Sequence, residues 1–141
     1  MPFREKKSWA TIFALVIVFL PYYGFMFRAY HQPDPDFQYL ITLAVYALAA
    51  FVLLEIILVL VARQLSPEDV GIPKDERDQL FAFRAARYAH VALISLMIVV
   101  TFLMIHTHAG NWGWGMLYLA TIICSEILRA SVLIVQYRRG Y

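Results

Sequence analysis

The stretch FQYLITLAVYALAAFVLLEIILVLVAR, residues 37–63, decides the fold. Glu55 is its one charged side chain before the closing Arg63. A helix of about 20 apolar residues crosses the roughly 30 Å of bilayer hydrocarbon, and this stretch is longer than that. The link before it, Gln32-Pro33-Asp34-Pro35-Asp36, carries two prolines that stop a helix from continuing through. Working outward, three more apolar blocks appear, at about 8–27, 83–106 and 112–137. Lipid offers the backbone no hydrogen-bond partners, so each block reads as a helix. No alternation of period two suggests a barrel.

Composition agrees. Of the 141 residues, 62% are apolar and 16% charged, and the charges sit between the blocks. A soluble domain carries more charge and less apolar mass. The expected fold class is therefore all-α: an integral membrane four-helix bundle, a single four-span domain over 1–141, with the lipid bilayer as its main partner. The first block follows Arg4-Glu5-Lys6-Lys7, as a signal peptide would. Its apolar run reaches Phe27 without a small-x-small cleavage site, so an uncleaved anchor is favoured, kinked near Pro21.

Lysine and arginine set the orientation. Arg4, Lys6, Lys7, Arg63, Lys74, Arg77, Arg84, Arg87, Arg138 and Arg139 fall on one side, Arg28 on the other, and Arg129 inside a span. Both termini and the second connection, about 64–82, are expected in the cytoplasm. Trp9, Tyr88 and Tyr137 would anchor the inner interface. Tyr22, Tyr23, Tyr30, Tyr39, Trp112 and Trp114 would anchor the outer one.

The second connection offers two helix starts. Ser66-Pro67-Glu68-Asp69 has a capping serine, proline at the first helical position and acids in the first turn. Asp75 can cap a second helix, with Glu76 and Asp78 opposing its positive end, which runs unbroken into the third span. Arg84 and Arg87 would then snorkel at the interface. Beside this reading as a solvated helix start stands a functional one. Asp75, Glu76, Arg77, Asp78, Arg84 and Arg87 would form a docking surface for a cytoplasmic or membrane protein partner.

Asp75-Glu76-Arg77-Asp78-Gln79-Leu80 with Arg84 and Arg87, and the fourth span with Glu126, Arg129 and the ending Tyr137-Arg138-Arg139-Gly140, carry a resemblance. Most of the last ninety residues, and the first span less clearly, resemble a family of small bacterial four-span inner-membrane proteins. The resemblance implies this fold and topology, and a regulatory role beside helix-turn-helix regulators. Phe81 stands where that family suggests a branched aliphatic residue.

Charge inside the spans is the second feature. A charged side chain at the bilayer centre is costly and usually faces protein or water. Glu55 lies about 12 Å above Arg63 at 1.5 Å per residue, and Arg129 about 12 Å above Tyr137. Glu126 is one turn from Arg129 on the same face. The natural arrangement is a buried cluster of Glu55, Glu126 and Arg129, with His90 near the same level. It reads as an ionic latch fixing helix register. The alternative is a proton or cation site, because two carboxylates around one arginine leave a negative charge that a proton can remove.

Other chemistry is sparse. His106-Thr107-His108 and His31 share a side, but a tight metal site needs a third or fourth ligand; Asp34 and Asp36 lie on another connection. They are read as polar interface residues, and no metal is expected. Haem would need a second deep histidine besides His90. The lone cysteine, Cys124, excludes an intrachain disulfide and reads as packing. No nucleophile constellation, phosphate-binding glycine loop or basic stripe for nucleic acid is present. Gly113 and Gly115 suit a close-packed start to the last span. The expectation is a non-enzymatic inner-membrane protein without cofactor, acting through protein contacts, in a regulatory role. The alternative is a proton- or cation-coupled transporter working as a homo-oligomer through Glu55 and Glu126.

Overall fold

The computed structural model describes residues 3–31, 36–67, 75–106 and 111–139. They form four long helices: α1 (Phe3–Tyr30), α2 (Phe37–Gln64), α3 (Glu76–His106) and α4 (Asn111–Arg139). All four are long and apolar enough to cross a membrane. The chain divides into two compact units, Met1–Gly71 and Ile72–Tyr141, each a helical hairpin.

In the first unit, α1 begins at Phe3, so the basic start is itself helical, and Pro21 lies inside the helix. Asp36 caps α2: its Oδ1 accepts from the backbone N–H groups of Gln38 and Tyr39 at 2.9 and 3.2 Å, satisfying two of the donors a helix start leaves open. Contacts along the hairpin fix an antiparallel register. Lys6 Nζ donates to the Leu65 carbonyl and to Ser66 Oγ. Thr11 Oγ1 donates to Glu55 Oε1 at 2.9 Å, and the rings of Phe19 and Phe51 lie 5.8 Å apart. Met26 and Leu40 are the largest side chains fully enclosed.

The second unit has the same construction. Asp75 accepts from Glu76 N at 2.7 Å, and Asp78 Oδ2 reaches back to accept from Asp75 N at 3.3 Å. That is the returning half of a capping box. From there α3 runs unbroken to His106. Tyr137 from α4 donates to Asp78 Oδ1 at 3.0 Å and sets its ring edge-on to Phe81. Thr101 and Tyr118 meet through their hydroxyls at 3.0 Å towards the other end.

Both hairpins close on alanine. Ala10 and Ala14 on α1, and Ala85 and Ala89 on α3, are buried pairs four residues apart, with Ala14 and Ala85 at 0% exposure. Between membrane helices, where lipid is as apolar as leucine, small residues at this spacing let backbones approach. The large aliphatic side chains of α2 and α3 point outward instead, as a lipid environment allows.

Several expectations change. Tyr22 and Trp114, expected as exposed anchors, are packed inside their hairpins, which leaves their depth in a membrane unaltered as an expectation. Gly115 does not serve a close approach, since a Cβ there would meet open space; the buried neighbour Trp114 makes the packing. Cys124 is exposed on α4 rather than packed. Pro33, Asp34 and Pro35, Glu68 and Asp69, Pro73 and Lys74, Thr107 and His108, and the final Gly140 lie outside the described residues.

Candidate functional site

The polar side chains within the spans fall into one set per hairpin. In the first unit, α1 presents Glu5, Ser8 and Thr11, all buried, along one face. Ser8 and Thr11 return hydroxyl bonds to their own helix, at Arg4 O and Lys7 O. Thr11 also reaches across to Glu55. Glu55 thus has a hydroxyl donor inside its own hairpin, and the two helices gain a polar tie. In membrane hairpins such ties average about 0.6 kcal/mol and reach about 1.7. Glu5, at 5% exposure, is the most enclosed acid among the described residues.

In the second unit, Arg129 and Glu126 form an ion pair one turn apart on α4. Arg129 Nε and Nη2 both donate to Glu126 Oε2, at 2.9 and 2.7 Å. The guanidinium fork gives this contact its geometry. The Arg129 side chain is 47% exposed and that of Glu126 39%. The pair is therefore an internally neutralised charge set on a half-exposed face. Gln136, seven residues on and on the same helix face, has its Oε1 buried with no hydrogen-bond partner among the described residues. Such an acceptor costs about 1–3 kcal/mol.

His90 is exposed on α3 and makes no hydrogen bond or ion pair among the described residues. Of the docking residues, Asp78 is taken by Tyr137 and by the helix start, and Arg77 lies 5.3 Å over the Phe81 ring. Asp75, Glu76, Arg84 and Arg87 are exposed. His31 and His106 are turned to their own helices. Each Nδ1 lies 2.8 Å from the carbonyl four residues earlier, Phe27 O or Phe102 O, and each ring lies tilted against that same phenylalanine. A carbonyl only accepts, so Nδ1 carries the proton in both. Among the described residues no group of three or more metal-ligating side chains exists.

Sequence reasoning missed the Thr11–Glu55 tie, the enclosed Glu5 and the orphaned Gln136 acceptor. The first had a signal: Thr11 and Ser8 are polar residues three apart inside an otherwise apolar helix. No protein-family model, curated protein or solved structure matches this chain.

Proposed function

We propose that this chain is a non-enzymatic, multi-pass inner-membrane protein that acts through protein contacts in a regulatory role, with both termini in the cytoplasm. The observation that carries the reading is the half-exposed Glu126–Arg129 pair within the apolar helix α4. Charged groups in a span are retained where they face protein or water rather than lipid. Here the arginine already holds its carboxylate, so the face carries shape and hydrogen-bonding capacity with no net charge. That suits a protein–protein contact better than a proton carrier, which needs a carboxyl free to exchange. The charge order of Asp75 and Glu76, both exposed, supports a second contact at the cytoplasmic end of α3. The regulatory element rests on the resemblance of the Asp-Glu-Arg-Asp and Tyr-Arg-Arg-Gly segments to small bacterial four-span proteins.

The test is a pair of measurements on the full chain. Liposomes holding the wild type should show no more proton flux than empty ones, under a pH gradient with sodium or potassium present. The Glu126→Leu/Arg129→Leu variant should insert and fold yet lose whatever protein co-purifies with the wild type. Wild-type flux abolished by Glu126→Gln would replace this reading with a proton- or cation-coupled transporter.

A further inference from the structure

Arg84 and Arg87 are exposed, and neither makes a hydrogen bond or ion pair among the described residues. They stand one turn apart at the polar end of α3, while Arg77 and Asp78 are engaged within the hairpin. Below them lies an open apolar groove of about 500 Å³, lined by Ile94, Met97, Ile98, Thr101, Phe102 and Ile105. Counted from Arg87, Ile94, Ile98 and Ile105 follow at helical spacings that return to the same face. The groove begins at Ile94, about 10 Å along the helix from Arg87 and so within the ~15 Å depth of one hydrocarbon leaflet, and its far end at Ile105 lies about 27 Å along.

We infer that this face of α3 is a binding site for one anionic phospholipid, its phosphate held between Arg84 and Arg87 and an acyl chain lying in the groove that begins at Ile94. Charge complementarity selects the occupant. Two unpaired guanidinium groups at the interface offer forked donors to phosphate oxygens. The groove beneath them is almost wholly apolar, as an acyl chain requires. A zwitterionic lipid has the same tail but brings its own cation to the arginines, so the preference is for a net negative headgroup. The inference concerns lipid and does not depend on the protein-contact role proposed above.

The experiment uses the full chain in mixed micelles with equal phosphatidylglycerol and phosphatidylcholine, with retained lipid read by native mass spectrometry. The wild type retains phosphatidylglycerol preferentially. Arg84→Gln/Arg87→Gln lowers that preference about tenfold or more. Ile94→Trp/Ile98→Trp fills the groove and lowers retention of both lipids with the arginines intact. Arg138→Gln/Arg139→Gln, at the same end of the hairpin, leaves the preference within about twofold of wild type. Unchanged preference in the Arg84/Arg87 variant would overturn the site. So would an equal loss in the Arg138/Arg139 variant, which would mean a diffuse charge effect. Displacement of the lipid by excess inorganic phosphate would reassign the arginines to a free anion. A dimer that Ile98→Trp dissociates would show that a second copy covers the groove.

Discussion

Tyr137 Oη donates to Asp78 Oδ1 at 3.0 Å, joining the end of α4 to the start of α3 across 59 residues of sequence. The same ring meets Phe81 edge-on with centroids 5.5 Å apart, and Phe81 carries the Arg77 guanidinium on its face. Hydroxyl and ring can be separated by substitution. Tyr137→Phe removes a hydrogen bond to a charged, partly exposed acceptor and should cost about 1 kcal/mol. Tyr137→Ala also removes the aromatic contact and should cost at least about 1–2 kcal/mol more. Thermal unfolding in detergent micelles measures both; equal losses would show that the ring carries nothing, and an unchanged Tyr137→Phe that the hydroxyl carries nothing.

The alanine seams predict an asymmetry between neighbouring small residues. Ala14→Leu and Ala85→Leu push a branched side chain into fully enclosed positions and should each destabilise their hairpin by about 1–3 kcal/mol. Gly115→Ala places a methyl in open space and should stabilise α4 by about 0.5–1 kcal/mol through helix propensity. Denaturant titration of the three variants checks the ordering.

The ion pair on α4 predicts a result that single substitutions alone would disguise. Arg129→Leu leaves Glu126 without its partner in an apolar helix, and Glu126→Leu does the same to Arg129. Removing one partner of an ion pair is generally worse than removing both. The double Leu variant should therefore be more stable than either single one, and near the wild type. A double-mutant cycle on the unfolding free energy measures this directly. Additive losses would show that the two side chains do not act as a pair.

Four spans are legible in the sequence because hydropathy and length suffice for a helix in lipid. The faces on which those helices meet are not. A lipid-exposed helix is apolar all round, so the usual contrast between a core stripe and a polar stripe is missing. Ala10, Ala14, Ala85 and Ala89 carry the packing instead, and alanine is too common in these spans to stand out. The pairing of Glu126 with Arg129 is local and follows from their spacing on one helix. The pairing of Thr11 with Glu55 spans 44 residues and depends on hairpin register, which only the folded contacts fix. Ser66, legible as a helix cap, accepts at its hydroxyl from Lys6 Nζ, because the antiparallel register brings the start of α1 beside the end of α2.

Orientation follows from charge and can be measured. Reporter fusions after Gln64 and after Tyr141 should both report the cytoplasm, and a fusion after Asp34 the opposite side. A cytoplasmic signal at Asp34 would break the argument from the lysine and arginine distribution.

The Glu76 end of α3 predicts a separation of contact from stability. Asp75→Lys/Glu76→Lys reverses two exposed charges and removes one helix-start acceptor. The stability loss should stay within about 0.5–2 kcal/mol, with insertion intact, while any co-purifying protein partner is lost. Retention of that partner by the folded variant would confine the protein contacts to the membrane interior.

Helix α3 has 31 residues, with neither proline nor glycine among them. At 1.5 Å per residue it is a rod of about 46 Å, against roughly 30 Å of hydrocarbon. It has no joint at which bending would be cheap. A tilt or twist imposed at Glu76 would therefore reach His106 as movement of the whole rod, with no joint between to absorb it.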